Sequence, residues 1–363
     1  MKLPGIRRLF GSLGLLSAAA AAMLMSSCES IYDNEGDCTT TYEIAITHKM
    51  NLLGADAFDA RVNSVWLYVF DRSTGTCVLT KRASGSELTA DRQTGTYTMR
   101  LTSDEIAPGR YDLIAWGGLE GNGTYRLDCG DGRPATKSDL ICRLTAAGSD
   151  GVCASQLGDL FHGKAENVEF PAVYGEQRIT ANIDLTKNTN TVRVVLQHYN
   201  GRPLKGADFH FTVADNNGVM NHDNGLLAGD VITYREWSKN EGLVERPDAV
   251  AARADEGIAS ISSVVAEFSL GRLVTQGHNP YLRIDVEGKV DSSGKSVPVV
   301  NMPLYDLLLI AKGENNRNMD NQEFLDRQDD YNLFFYLDDA YGWYTQMGVW
   351  VNSWHVIFQD KEL

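Results

Sequence analysis

Cysteine and histidine are the side chains best able to hold a metal or attack a substrate, and their spacing in this chain supports neither role. The cysteines stand at 28, 38, 77, 129, 142 and 153, with no C-x-x-C pair and no histidine at zinc-finger distance from any two of them. The histidines, at 48, 162, 198, 210, 222, 278 and 355, form no H-x-x-x-H. No serine sits in G-x-S-x-G. Gly294-Lys295-Ser296 imitates a phosphate loop, but the preceding glycine, Gly288, lies one residue too far upstream, and VPVV follows where a helix is required. The glycines of GLEGNG (118–123) miss the dinucleotide pattern and lead into a strand. Asp215, Asn217, Asn221 and Asp223 offer oxygen to calcium at a spacing that is not an EF-hand, and Asx-Gly clusters are what β-turns use. Trp66, Trp116, Trp343, Trp350 and Trp354 are able to stack on sugars, yet at strand spacing core packing is the expectation. A carboxylate pair of glycosidase type is not visible in sequence. No catalytic residue, metal or cofactor is expected.

Cys28 has a different context. Lys2, Arg7 and Arg8 form a basic start, Leu9 to Met25 is an apolar run, and Ser26-Ser27 supplies small residues directly before the thiol. A spanning helix is the rival reading, but the run is diluted by Ala, Gly and Ser, and acid follows it where a basic stop would be needed. The arrangement resembles a bacterial lipobox, with Met25 where leucine is usual. It implies cleavage between Ser27 and Cys28, then acylation of the new terminus. Each buried methylene contributes about 0.8 kcal/mol, so several chains hold a protein durably where one does not. The alternative is an ordinary exported cysteine just past a conventional cut. Among the other five, Cys129, Cys142 and Cys153 lie close enough for one local disulfide, with the pair left open, and an odd count leaves a free thiol.

The composition, 43% apolar and 22% charged, is that of a globular protein, and the length suggests two domains. The net charge is −15; the first 27 residues carry three bases and no acid, so the remainder carries −18. That balance argues against nucleic acid or anionic headgroups as the main partner.

Beyond Cys28 the chain reads as strands. Residues 61–71, RVNSVWLYVFD, place Val65, Leu67 and Val69 on one face and Trp66, Tyr68 and Phe70 on the other, a strand covered on both sides. TYEIAITHKM (41–50), TCVLTKR after the turn DRSTG, GTYTMRL (95–101), GRYDLIAWGGL (109–119), TYRLD (124–128), DLICRL (139–144) and RITANIDL follow the same style. A polar stretch at 185–191 sets the expected boundary near residue 188. The second half continues with TVRVVLQHY, ADFHFTVADNNG, VITYREW and YLRIDVEGKV, whose Leu282, Ile284 and Val286 alternate with charge. Residues 238–258 read as a long variable segment, LLLIA (307–311) as a strand-sized apolar run, and 319–330 as the one clear helix, capped by Asp320. The C-terminal stretch reads as two short strands broken at Asn352-Ser353.

Several stretches together carry a family resemblance: CESIYDNEGDC from Cys28, VNSVWLYVFD (62–71), GRYDLIAWGGL, LGDLFHG (157–163), NTNTVRVVL (188–196), LDRQDDYNLFFYLD (325–338) and VNSWHVIFQD (351–360). In order and over nearly the whole mature chain, they resemble the FimB-like fimbrial anchor subunits of the Bacteroidales. The resemblance implies an all-β fold of two tandem transthyretin-like β-sandwich domains after a lipoprotein signal peptide. The divisions are then signal peptide 1–27, lipidated acidic tether 28–40, and sandwiches at 41–188 and 189–363. It also implies an outer-membrane lipoprotein, facing outward and held by acyl chains on Cys28, that anchors the base of a fimbrium. Its partners would be shaft subunits, joined by β-strand addition. Glu29, Asp33, Glu35 and Asp37 resemble a surface-export signal, with a solvated tether as the plain alternative. Shaft subunits of this superfamily lose a first strand by cleavage after a basic residue. Here Lys49 and Arg61 flank such sites, but cleavage would discard a lipidated Cys28, so the first strand is expected to stay. A surface glycan-binding lipoprotein and a shaft or tip adhesin are the other readings.

Overall fold

A computed structural model of the protein describes residues 40–88, 96–172, 178–245, 260–345 and 348–356. The first half contributes β1 (Thr41–Met50), β2 (Ser64–Asp71), β3 (Cys77–Ser84), β4 (Tyr97–Thr102), β5 (Gly109–Gly117), β6 (Tyr125–Leu127), β7 (Cys142–Leu144), β8 (Val152–Cys153), β9 (Phe161–Phe170) and β10 (Arg178–Lys187). Seven of these form one sheet in the order β3-β2-β5-β9-β10-β1-β4. Only Thr186 with His162 and Lys187 with Phe161 join β10 to β9, so the sheet folds there into two facing layers. Between the layers lie Ile44, Ile46, Val65, Leu67, Val69, Leu113 and Ile183, all essentially inaccessible.

Strand β2 is apolar on both faces because each face meets a different core. Val65, Leu67 and Val69 enter the core just described, while Trp66, Tyr68 and Phe70 join a second, larger one. A Leu, Val or Phe side chain buried in this way contributes about 1.5–3 kcal/mol, so β2 stabilises both cores at once.

The second half contributes β11 (Asn190–His198), β12 (Phe209–Asp215), β13 (Val219–Met220), β14 (Ile232–Arg235), β15 (Ser238–Glu245), β16 (Ser260–Leu270), β17 (Tyr281–Val286), β18 (Val300–Pro303), β19 (Asp330–Leu337), β20 (Val349–Val351) and β21 (Trp354–Val356). Around the larger core they build a six-stranded sheet, β15-β16-β11-β19-β20-β21, and, with β8 of the first half, a five-stranded sheet, β18-β17-β12-β14-β8, while β13 joins β7 and β6 in a three-stranded sheet. The halves share a device: β1 lies between parallel β10 and antiparallel β4, as β11 lies between parallel β19 and antiparallel β16. The fold is all-β with few helices. Among the described residues, three short α-helices accompany the sheets: α1 (Phe58–Arg61), α2 (Leu304–Leu308) and α3 (Asn321–Arg327). Helix α3 starts where Asp320 accepts the Glu323 N–H at 2.7 Å, the cap read from sequence. No helix among the described residues is long and apolar enough to cross a membrane.

Three expectations need correction. Leu307 and Leu308 end α2 and Leu309–Lys312 continues as a 3-10 turn, so the LLLIA run is helical. Residues 238–245 form strand β15, an edge strand whose polar sequence hid it. Cys77, Cys129, Cys142 and Cys153 are all free thiols, so no local disulfide joins Cys129, Cys142 and Cys153.

Candidate functional site

Ser27 and Cys28, the residues singled out for cleavage and lipid attachment, lie outside the described residues, as does Cys38. The description begins at Thr40, which leads straight into β1. Strand β1 is thus the first described element after Cys28 in the sequence. Its neighbours are paired on both sides, Ile44 with Ala181 in β10 and with Met99 in β4. Tyr42, Ile44 and Ile46 are buried, and the Tyr42 ring stacks on Phe170 with centroids 4.4 Å apart. Both ladders and this buried face resist removal of the strand.

The two basic residues beside β1 are tied down as well. The Lys49 N–H donates to Asp184 Oδ1 at 2.7 Å, and its carbonyl accepts from Arg327 Nη1 at 3.2 Å. Arg61 closes α1, its guanidinium 3.9 Å from the Asp329 carboxylate. Arg327 and Asp329 belong to the second half, so this end of β1 is also a contact between halves.

The polar stretch at the expected boundary near residue 188 is buried. Lys187 Nζ lies 3.1 Å from Asp159 and 2.7 Å from Asp329. Burial pulls its pKa down, but Asp329 and Asp159 outweigh that, and the ammonium is held above its usual value. Asn188 N–H donates to Leu160 O at 2.7 Å, and the Asn188 side chain exchanges hydrogen bonds with Asn224. Arg272 Nη1 donates to Asn188 Oδ1 at 3.0 Å while its Nη2 reaches Asp326 at 3.0 Å. Burial raises the Asp326 pKa against the pull of Arg272.

A second connection comes from residues 118–160, which leave the first sheet and pair with the second half. Strand β7 pairs with β13 through Arg143–Val219 and Cys142–Met220, and β8 adds in parallel to β14 through Val152–Thr233 and Cys153–Tyr234. The excursion starts at Gly118, whose φ is +78°; a Cβ there would lie 2.1 Å from the Asp159 carbonyl. Only glycine permits both that conformation and that approach, which accounts for the second glycine of WGGL. His162 then bonds across the junction to the His222 carbonyl at 2.9 Å. Burial lowers its pKa to about 3, so the neutral ring donates Nε2–H.

The decoy motifs resolve into structure. Asn221 Oδ1 accepts from the backbone N–H of Asp223 and Gly225, an Asx turn, and Asn217 bonds Arg272 O and the Tyr234 hydroxyl. Asp291 Oδ1 accepts from Ser293 and Lys295 in the turn that carries Gly294. Trp66 and Trp116 are buried; the side chain of Trp354 lies outside the described residues. No group of three or more metal-ligating side chains occurs among the described residues. What sequence reasoning missed is the junction itself, whose partners meet across distant strands.

Two halves tied by the Lys187 and Arg272 ion pairs and by strands of the first that pair into the sheets of the second define a structural class of all-β protein. Residues 34–360 match the family of fimbrillin-A associated anchor proteins Mfa1 and Mfa2, and the chain belongs to that family. No curated protein is matched by sequence. A proposed adhesin from Bacteroides thetaiotaomicron is similar in structure, with TM-score 0.70 and 26% identity, over 88% of this chain and 97% of its own. A second protein of that organism, described as a proposed polysaccharide binding protein, is similar with TM-score 0.68 and 26% identity over 88% and 99%. The fimbrial anchor protein Mfa2 from Porphyromonas gingivalis shares the fold, with TM-score 0.60 and 17% identity over 88% and 99%.

Proposed function

We propose that this chain is a lipoprotein of the outer membrane that ties the base of a surface fimbrium to the cell and ends its polymerisation. The lipid sits on Cys28 after cleavage at Ser27, and residues 28–40 are the acidic tether. The chain divides at 188/189 into two sandwiches, which the 118–160 excursion straps together. Family membership supports the fimbrial role. The observation that carries the anchoring is the position of β1, the strand nearest Cys28, locked between β10 and β4. Force applied to such a strand along its axis must shear two ladders together rather than unzip one edge. A retained β1 also leaves no groove at its own place for an incoming strand, which is what ends a polymer.

Deleting the gene and locating the fimbriae tests this role. Fimbriae shed into the medium support the anchor, and normal attachment refutes it. Mass spectrometry of the mature N-terminus tests the lipid: an unmodified Cys28 thiol removes that part of the proposal. The glycan reading draws on the polysaccharide binding description of one similar structure. Buried Trp66 and Trp116 argue against an aromatic sugar platform.

A further inference from the structure

Strands β11 and β19 are parallel neighbours, paired from Thr191–Asp330 to His198–Leu337, so their last residues leave the sheet side by side. Roughly 25 Å of strand separates this end from Asn190 at the junction. Each strand runs into a tight turn. After β11, Gly201 takes φ +80° and its N–H returns to the His198 carbonyl at 3.0 Å, while Asn200 Oδ1 accepts the Arg202 N–H at 3.1 Å. After β19, Asp338 Oδ1 accepts the N–H groups of Ala340 and Gly342 at 2.9 and 2.6 Å, and Tyr341 holds φ +55°. A tyrosine in the left-handed region is uncommon and persists only where its surroundings hold it. Here its ring packs against His198 and Phe209, and its carbonyl accepts Lys289 Nζ at 2.9 Å. Both turns are fixed, and so are the side chains they present.

Those side chains are one carboxylate, three donors and two rings. Asp339 accepts from the Tyr199 hydroxyl at 3.1 Å, pairs with Arg202 Nη2 at 3.2 Å and accepts from Asn200 Nδ2 at 3.4 Å. The half-buried rings of Tyr199 and Tyr344 have centroids 4.9 Å apart and planes inclined by 38°. Arg202 and Asp339 keep 48% and 57% of their side-chain surface in solvent. Beneath them His198 is wholly buried, and its Nδ1 accepts the Asn200 N–H, so Nε2 carries the hydrogen. That Nε2 stands 3.6 Å from Asp339 Oδ1 and makes no hydrogen bond among the described residues. Stability does not account for this arrangement. Exposed ion pairs contribute about 0–1 kcal/mol, and a buried donor without an acceptor costs about 1–3 kcal/mol.

We infer that the two turns form a subsite for one uncharged pyranose ring of a glycan. Such a ring has an apolar face of C–H groups and a rim of adjacent hydroxyls. The tyrosine rings suit the face. The rim needs polar groups able to serve two neighbouring hydroxyls, and Asp339 with Arg202 supplies them: one hydroxyl donates to Asp339 Oδ2, the next accepts from the guanidinium. Fixing Oδ2 in this way lets Oδ1 settle on the waiting His198 Nε2–H. Arg202 and Lys289 offset Asp338 and Asp339, so nothing at the site favours a charged sugar. Trp66 and Trp116 lie in the buried cores and take no part. The inference holds whether or not the chain anchors a fimbrium.

The test titrates the full chain with maltohexaose, cellohexaose and mannohexaose, neutral oligomers that differ in hydroxyl geometry, and with hexagalacturonic acid as the charged control. At least one neutral hexamer is expected to bind with Kd below about 10 mM, and the acid at least about tenfold more weakly, a difference of about 1.4 kcal/mol. Arg202→Gln and Tyr199→Phe alter only exposed polar groups; both are expected to keep the parent melting temperature and to weaken the neutral hexamer several-fold. Tyr344→Ala, which removes a ring, is expected to weaken it about tenfold. No binding by any neutral hexamer at about 10 mM, equal binding of the acid, or binding that Arg202→Gln leaves unchanged would each overturn the inference. Gene deletion reads fimbrial attachment and this titration reads sugar binding, so the two proposals fail separately.

Discussion

The side-chain amides of Asn188 and Asn224 bond to each other in both directions, Nδ2 to Oδ1 at 2.7 and 3.0 Å. Neither residue is more than 8% exposed, and Asn188 also accepts from Arg272. The segment joining the two halves is thus fixed in a buried network rather than free to hinge. Asn188→Ala strands the Asn224 amide and one Arg272 donor, and a buried polar group left without a partner costs about 1–3 kcal/mol. Urea unfolding is expected to show a loss in that range. In a double-mutant cycle with Asn224→Ala, the two losses are expected to be non-additive. Additive losses would show that the amide pair couples nothing.

Asp112 supplies a pH-dependent contribution to the seven-stranded sheet. Its side chain is 4% exposed, and it receives Arg72 and Lys137, each at 2.7 Å, and the Asn167 N–H at 2.8 Å. Burial raises its pKa, but Lys137, the Asn167 N–H and Arg72 together outweigh burial and hold it below the ordinary 3.8. A carboxylate depressed in the folded state stabilises above its unfolded pKa, and that stability is lost as pH falls through the folded value. Asp112→Asn is expected to cost about 2–3 kcal/mol at pH 7, the worth of hydrogen bonds to a buried charge. The difference from the parent should shrink below pH 3.8. A penalty unchanged at acid pH would mean that shape, not charge, holds this site.

The parts of the fold that were legible are those where local pattern and burial agree. Strand β2 announced its two cores because apolar residues occupy both faces, and β17 alternates Leu282, Ile284 and Val286 with charge. Asp320 and Glu323 marked the start of α3. Strand β15 was illegible because SKNEGLVE has little apolar signal and is held by its backbone ladder to β16. Leu304–Leu308 is too short an apolar run for period to separate helix from strand. The junction was invisible for another reason. Asn188 and Asn224 lie 36 positions apart, and Lys187 and Asp329 lie 142 apart, so nothing local links them.

The thiols should report the larger core. Cys142 is fully buried, and burial raises its pKa far above the ordinary thiol value, so it is a poor nucleophile in the folded protein. Cys129 is half-buried, and Cys77 and Cys153 are 3% and 1% exposed. Alkylation without reductant, followed by peptide mapping, is expected to label Cys129 first and Cys142 last in the native protein. All four should label in denaturant. Protection of any of the four that persists in denaturant and yields to a reductant would reveal a disulfide that the structure does not contain.

Retention of β1 is the prediction on which the proposed termination of the polymer depends. Cutting after Lys49 would take away the central strand of β10-β1-β4 and empty the places of Tyr42, Ile44 and Ile46 in the core. Losing even one large buried side chain costs about 2–5 kcal/mol, so the remaining fragment would be left with little of the 5–15 kcal/mol that folded domains possess. The Lys49 bond itself lies in the strand, with its N–H on Asp184 and its carbonyl on Arg327. A protease requires an extended, accessible segment, and these contacts withhold it. N-terminal sequencing of protein extracted from the cell surface is accordingly expected to find no chain beginning at Met50 or Val62. Arg327→Ala removes the donor to the Lys49 carbonyl, and limited trypsin digestion should then cut after Lys49 faster than in the parent. If surface protein begins at either residue, the strand is a removable plug, and the chain extends a polymer rather than ending one.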